Sequence, residues 1–224
     1  KNEAYIGERA DTGTDVWING TKYRRISKSD TNCDELFDEV TNNGYRYFKW
    51  ERIKWRVLDN NGSTLFVVAD KGLDCKNYND EYISITWKKS TIREWLNNSF
   101  YNTAFASNEQ NAIVAQKVVN ENNPFYGTDG GYDTTDKVYL LSISEVTNVT
   151  YGFCSDCNTE SASRWMQPSI YARTRGTKTY NDIYNDTYMG YKDTCIWWLR
   201  SPGTHNYAAG KVVGRGYVSE YGSD

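Results

Sequence analysis

The sequence predicts an α+β domain made of short antiparallel hairpins interrupted by a few short helices. Three observations carry that expectation. Asn-Gly and other Gly-centred turns recur between short runs of aromatic and β-branched residues. Helix-start signatures of the Ser/Thr-x-x-Glu type fall between those runs. No stretch of linker composition divides the 224 residues, so residues 1–224 are read as a single domain.

In chain order, residues 1–30 are polar, and Trp17-Ile18-Asn19-Gly20-Thr21-Lys22-Tyr23 within them reads as a hairpin, because Asn-Gly supplies the positive-φ positions of a tight turn. The apolar residues of 45–58 largely alternate through Phe48, Trp50, Ile53, Trp55 and Val57, the period of a strand. One phase slip near Glu51-Arg52 requires a bulge or a turn. Asn60-Asn61-Gly62 then turns the chain into residues 63–70, a second hairpin. Thr91-Ile92-Arg93-Glu94 has capping-box spacing, with Ile92, Trp95 and Leu96 as the buried stripe behind it. Ser107-Asn108-Glu109-Gln110 repeats that logic ahead of Ala112, Ile113 and Val114. Phe100, Tyr101 and Phe105 are expected to anchor the connection between the two helices. Residues 137–141 read as a strand running into Ser142-Ile143-Ser144-Glu145, a third capping box and a short helix. Residues 168–173 fit a further helix with Pro168 in its first turn, ended by Gly176. Residues 176–194 read as a Tyr/Asn/Asp/Thr-rich loop and 194–200 as a strand stopped by Ser201-Pro202-Gly203. Residues 208–218 read as a last hairpin about Gly214 and Gly216.

Composition narrows the function classes. A net charge of -3 leaves no basic footprint for nucleic acid. Mean hydropathy is -0.77, and no apolar run approaches the roughly 18 residues of a membrane span, so no direct membrane insertion is expected. Aromatic residues make up 15%, with 19 Tyr and 8 Trp, too many for a disordered chain. Apolar residues reach only 38%, so Tyr must supply much of the core, and the remaining Tyr joins 22 Asn on the surface. That is the composition binding loops use. The chain begins at Lys1 rather than Met, as a processed or trimmed protein does, so a signal peptide would not be visible.

The residues that carry chemistry are few. The one histidine, His205, lies in a turn-like Ser201-Pro202-Gly203-Thr204-His205-Asn206 stretch and is expected on the surface; its solitude excludes a multi-His zinc site. Of Cys33, Cys75, Cys154, Cys157 and Cys195, an odd number, at least one stays unpaired in a monomer. Cys154-Ser155-Asp156-Cys157 has redox-pair or half-zinc-knuckle spacing. It sits in loop-like sequence with no second close Cys/His pair, so a structural role is favoured over a local disulfide or a metal. Sequons at Asn19, Asn61, Asn97, Asn148 and Asn185 arise by chance in so Asn-rich a chain. Asp129, Asp133 and Asp136 on a Gly-rich loop are the calcium candidates, because such carboxylates can converge on a hard cation. Their spacing is not that of an EF-hand, and a solvated loop is favoured; Asp182 and Asp186 form a weaker second pair. No other cofactor is expected: no phosphate-cradling glycine motif occurs. Catalytic carboxylates cannot be paired from sequence alone. Arg164, Arg173 and Arg175, near Trp165 and Tyr171, are read as cation–π or salt-bridge residues. The most distinctive string is Trp197-Trp198-Leu199-Arg200-Ser201-Pro202-Gly203. Adjacent Trp residues on a strand point to opposite faces, Arg200 is placed to bond carbonyls of the following turn, and the string is read as structural.

At that string the sequence resembles a domain family found in surface, secreted and prophage proteins of Gram-positive gut bacteria. The resemblance extends over most of the chain: Ile53-Lys54-Trp55-Arg56-Val57-Leu58, Thr91-Ile92-Arg93-Glu94-Trp95-Leu96-Asn97, Phe100-Tyr101-Asn102-Thr103-Ala104-Phe105, Val138-Tyr139-Leu140-Leu141-Ser142 and Pro168-Ser169-Ile170-Tyr171-Ala172. Members continue with a Val-Arg-Pro segment after the final hairpin, and this chain stops at Asp224 without it, so the resemblance implies a last strand beyond it. The resemblance further implies a C-type-lectin-like fold, on the branch shared with formylglycine-generating enzymes and with variable proteins diversified by retroelements. In those proteins the C-terminal hairpin region displays the ligand-binding residues. Carried over, this places a ligand surface on His205, Asn206, Tyr207, Lys211, Arg215, Tyr217, Glu220 and Tyr221. The copper-binding Cys pair of the formylglycine generators has no match, since Cys195 stands alone in the final part.

The expectation is therefore a non-enzymatic domain on a bacterial surface or phage particle, binding a protein or glycan. The rivals are an enzyme, either a carboxylate hydrolase or a Cys-dependent oxidase of the formylglycine-generating kind, and a purely structural adhesin module. Trp50, Trp55, Trp95, Trp197 and Trp198 are expected to build the scaffold, with Tyr and Asn concentrated in the loops and terminal hairpin.

Overall fold

The computed structural model describes residues 15–27, 45–184 and 190–223. Cys33, Asp186 and the sequon at Asn185 lie outside them. The architecture is mixed α+β, with short sheets and short helices in alternation.

β1 (Asp15–Ile18) and β2 (Thr21–Ser27) form the expected first hairpin, with Asn19 at φ 48° and Gly20 at φ 76°. Those are the two left-handed positions that the Asn-Gly pair is suited to fill. β3 (Tyr45–Lys49) adds to β2, and Ile26 and Phe48 from this sheet pack on Tyr171. The phase slip at Glu51-Arg52 is a complete break: β4 (Trp55–Asn60) leaves that sheet and, among the described residues, pairs only with β5 (Leu65–Ala69). The bulge lies further on, where the register shifts between Val57 and Asp59. Leu58 and half-buried Arg56 face inward, Arg56 donating to the Ser163 carbonyl at 2.7 Å. Trp55 and Val57, the part of the alternating stripe that lies in β4, are thus on the outer face. Trp55 is 39% exposed and stacks on Phe105 rather than entering the core.

β6 (Lys71–Gly72) pairs in parallel with β9 (Gln167–Pro168). A continuous helical stretch then runs from α1 (Thr91–Trp95) through a π-helical Leu96–Phe100 into α2 (Tyr101–Ala104). Its cap is Ser90, not Thr91. Ser90 has the extended backbone of a cap and its hydroxyl accepts from the Arg93 N–H, which leaves Glu94 one position too late for a reciprocal bond. α3 (Ser107–Ala112) has half a box. Glu109 accepts from the Ala106 N–H at 2.8 Å, but Ala106, the cap residue, has no oxygen to return the bond.

β7 (Gln116–Val118) and β8 (Thr134–Asp136) form a short hairpin-like pair. Residues 137–141, expected as a strand, bend at Lys137 and Val138 and form no ladder among the described residues. The Asn97 side chain takes the place of a neighbouring strand: its amide donates to the Val138 carbonyl at 2.9 Å and its oxygen accepts from the Lys137 N–H at 2.9 Å. Leu141 makes one backbone contact to Arg200. α4 (Ile143–Val146) carries the complete box. Ser142 Oγ accepts from the Glu145 N–H at 3.1 Å and Glu145 accepts from the Ser142 N–H at 2.8 Å. α5 (Ile170–Thr174) is capped by Ser169, so Pro168 belongs to β9 and not to the first turn, while Gly176 ends the helix at φ 114° as expected. α6 (Tyr180–Tyr184) is a short helix inside the stretch read as loop.

β10 (Trp197–Pro202), β11 (Ala209–Val212) and β12 (Val218–Ser223) form the C-terminal sheet in sequential order. The double Trp behaves as strand geometry requires. Trp197 packs with Leu199, Val212 and Val218 on one core cluster, and Trp198 with Trp87 and Tyr78 on another. Burial of such side chains contributes roughly 1.5–3 kcal/mol each, so this strand joins the two halves of the core.

Candidate functional site

The turn after β10 is fastened from several sides. Arg200 is buried, forms a two-point pair with Glu145 at 2.5 and 3.0 Å, and donates to the carbonyls of Leu140 at 2.8 Å and Val119 at 3.3 Å. Its partners are thus upstream segments and not the following turn. Gly203 allows the chain to close on β12: a Cβ there would lie 2.2 Å from the Tyr221 carbonyl oxygen. Pro202 and Gly203 are buried.

The eight residues assigned to a ligand surface divide into two groups at opposite ends of the C-terminal sheet. At the β10–β11 connection, His205, Asn206 and Tyr207 are exposed, and Tyr221 is 62% exposed. Arg215 and Tyr217 sit at the β11–β12 turn, about 13 Å away along four strand residues. There Tyr217 donates to Glu160 at 3.0 Å and Arg215 pairs with Glu160 at 2.7 Å. Hydrogen bonding to Glu160 pushes the Tyr217 phenol above its usual range. Lys211, opposite Trp198 and Ser219, lies between the ends. Glu220 leaves the set: it is 8% exposed, because alternate residues of β12 face opposite ways and Val218 and Glu220 share the inner face.

The first end recruits rings that no sequence motif flagged. Tyr82 packs on Tyr207 at 5.1 Å, His205 stacks on Tyr207 at 5.0 Å, and Tyr126 packs on Tyr221 at 5.4 Å. Phe125, Tyr82 and Tyr126 are all exposed. Backbone and side-chain bonds join these loops: Ile85 N–H to the Asn206 carbonyl at 2.7 Å, Thr204 N–H to the Tyr221 carbonyl at 2.9 Å, and Thr128 Oγ1 to the Thr204 carbonyl at 2.8 Å. Contact with the Tyr221 hydroxyl, the largest cause, pushes the Tyr126 phenol up to about 12, so this ring stays neutral at any physiological pH. Beneath the cluster, Asn123 is fully buried. Its amide donates to the carbonyls of Pro202 at 2.8 Å, Glu220 at 2.9 Å and Gly203 at 3.3 Å, and its oxygen accepts from the N–H groups of Phe125 and Tyr126.

The calcium candidates do not converge. Asp136 is buried against Arg93, Trp87 and Thr134, with contacts of 2.7, 3.0 and 2.6 Å. Asp133 pairs with Lys117 at 2.9 Å, and Asp129 accepts from the Gly131 N–H at 2.9 Å. Among the described residues no group of three metal-ligating side chains comes together. Cys75, Cys154, Cys157 and Cys195 are free thiols. Burial pushes Cys195 up to about 12, and burial followed by Glu220 raises Cys157, so both are poor nucleophiles at neutral pH. Arg173 pairs with Asp182 at 3.1 Å and Arg175 with Asp74 at 3.8 Å, as a salt-bridge role predicts. Arg164 differs: it is fully buried and donates to five carbonyls, those of Gly216, Cys154, Asp156, Thr159 and Val146.

Fold and site together define a mixed α+β domain whose C-terminal sheet presents an aromatic end. The chain belongs to the family described as domain of unknown function DUF6273, whose profile matches residues 61–223. The β1–β3 sheet precedes the matched stretch. No curated protein and no solved structure matches the chain.

Proposed function

We propose that this is a ligand-binding domain of the C-type-lectin-like kind, displayed on a bacterial surface or phage particle, that engages a protein or glycan without catalysis. The contact surface is the aromatic end formed by Tyr82, Tyr126, His205, Asn206, Tyr207 and Tyr221. One observation carries the reading: exposed rings from four separate stretches of chain meet at one end of the C-terminal sheet, over a buried Asn123 that bonds three carbonyls. Rigid aromatics offer large contact area at small entropic cost, and a neighbouring Asn and His add adaptable polar contacts. The likeness of the Trp-Trp-Leu-Arg-Ser-Pro-Gly string to surface and prophage proteins supports the location.

The test is a glycan array together with immobilised mucin and purified host-surface glycoproteins, probed with the intact chain and with a Tyr207→Ala/Tyr221→Ala variant. The expected result is binding to at least one array feature by the parent and its loss in the variant at unchanged melting temperature. Silence of both proteins on every feature, or equal binding by both, would contradict the reading.

A further inference from the structure

The charge of the aromatic end narrows its ligand. Resting on the binding reading above, we infer that this end selects a glycan with free, protonated amino groups, a non-acetylated hexosamine. The four stretches that build it are residues 79–85, 122–131, 203–208 and 219–223. They contain Asp80, Glu81, Asp129 and Glu220 and neither Lys nor Arg. Asp80 is paired, with Lys76 at 2.6 Å. Lys88, on the neighbouring turn, is engaged over the Tyr132 ring at 5.1 Å. Glu81 and Asp129 are exposed and without a cation among the described residues, and Asp129 accepts from the Gly131 N–H at 2.9 Å. Glu220 is 8% exposed, and its carboxylate has no hydrogen-bond or ion-pair partner among the described residues. Its backbone carbonyl and the Tyr126 N–H both bond the Asn123 side chain, which ties it to the loop that carries the ring. The Tyr126 phenol is raised first by the Tyr221 contact and, further, by the Glu220 charge, so that charge reaches the cluster.

Ring faces carry negative potential and carboxylates a full negative charge, so both attract the same group, a cation. An anionic ligand is repelled by the unpaired carboxylates, and complementarity favours an ammonium. Two further features favour a sugar as its carrier. Tyr82 and Tyr221 are 67% and 62% exposed, so each keeps ring surface open beyond its contact with Tyr207 or Tyr126. That surface suits the C–H face of a pyranose ring. Asn122 and Asn206 use their side-chain oxygens, accepting from the Gly130 N–H at 3.1 Å and from Ser84 Oγ at 2.9 Å. Their amide N–H groups make no bond to the described residues and are available to sugar hydroxyls. A lysine side chain supplies the charge without those hydroxyls.

The intact chain is titrated by calorimetry with a glucosamine tetramer, the N-acetylglucosamine tetramer and tetralysine. The titrations are run at about pH 6, where the carboxylates are ionised and the sugar amine is protonated. The two sugars differ only in their acetyl groups, and tetralysine carries ammonium groups without ring hydroxyls. The variants are Glu81→Gln/Asp129→Asn, which removes two charges and keeps an acceptor for Gly131, and Tyr207→Ala/Tyr221→Ala. Asp59→Asn, on exposed β4, is the control for general acidity. The glucosamine tetramer should bind about tenfold or more tighter than either other probe. Its affinity should fall about threefold or more between about 50 and 300 mM salt. It should fall about fivefold or more in Glu81→Gln/Asp129→Asn and stay unchanged in Asp59→Asn. The proposal is overturned by silence of the glucosamine tetramer, by equal or tighter binding of the acetylated tetramer or tetralysine, by unchanged affinity in Glu81→Gln/Asp129→Asn, or by an equal loss in Asp59→Asn. If the acetylated tetramer binds as well and only the double tyrosine variant loses it, this inference fails and the aromatic-end reading stands. If the glucosamine tetramer binds the double tyrosine variant as it binds the parent, both fail.

Discussion

Asn123 is the residue on which the aromatic end depends, and nothing in its sequence context, Asn122-Asn123-Pro124, distinguishes it from its neighbours. Its amide faces three carbonyl oxygens at 1% exposure. Asn123→Asp keeps the shape and replaces those donors with an acceptor, so it should cost about 3 kcal/mol or more by urea denaturation. Asn122→Asp, on an exposed neighbour, should cost almost nothing; equal losses for the two would contradict the assigned role. The bonds to Phe125 and Tyr126 are local, but the three carbonyls that hold the amide leave no sequence signal, because they lie 79 to 97 residues away. Glu220 is the opposite case. Its burial was legible from period-two alternation once β12 was placed, since Tyr221 and Glu220 cannot both face solvent on one strand. The carboxylates of the Gly-rich loop were legible as acidic but not as partners of Arg93 and Lys117, whose positions are set by other elements.

Turns and boxes are the elements that local chemistry writes most plainly. The hairpins at Asn19-Gly20 and at Asn60-Asn61-Gly62, the Ser142/Glu145 box and the final hairpin all form where their residues direct. Residues 137–141 do not form a strand, because the bonds a ladder would supply come from the Asn97 side chain, which sequence pattern cannot reveal. Two glycines separate local strain from packing. Gly62 and Gly216 both have positive φ, at 85° and 87°, but a Cβ at Gly62 meets nothing within 4 Å while one at Gly216 would lie 2.2 Å from the Ser161 carbonyl oxygen. Gly62→Ala should cost about 1 kcal/mol, the strain alone. Gly216→Ala should cost about 2–3 kcal/mol or more, since it also displaces the turn whose carbonyl Arg164 binds at 2.6 Å. Thermal or urea unfolding of both variants decides this, and equal costs would contradict it.

For the whole molecule, the division of aromatic residues into scaffold and surface was legible only in part. Trp197 and Trp198 enter separate core clusters, but Trp55 stays at the surface, and the exposed rings meet through loop contacts that have no periodicity. The ion pairs set the response to acid. At Asp182, burial raises the carboxyl, but bonds from Thr179 and the charge of Arg173 outweigh it and hold it below 3.8. Asp15 is likewise lowered: burial opposes, while Arg24 and Lys22 win. A folded-state value below the unfolded one gives stability that is present above pH 3.8 and lost as pH falls through the depressed values. Asp74, raised by burial, works in the opposite direction and moderates the slope. The urea midpoint should fall as pH drops below about 4, and less steeply in Asp182→Asn. An unchanged slope in that variant would remove Asp182 from the account.

The central claim is that binding belongs to the β10–β11 end of the C-terminal sheet and not to the β11–β12 turn. The measurement is the dissociation constant, by surface plasmon resonance, for the strongest glycan or mucin feature on the array, with Tyr221→Ala and Tyr217→Ala compared side by side. Tyr221→Ala should weaken binding about tenfold or more, and Tyr217→Ala, which only releases Glu160, should stay within about twofold. The reverse order, with Tyr217→Ala losing affinity and Tyr221→Ala retaining it, would contradict the account.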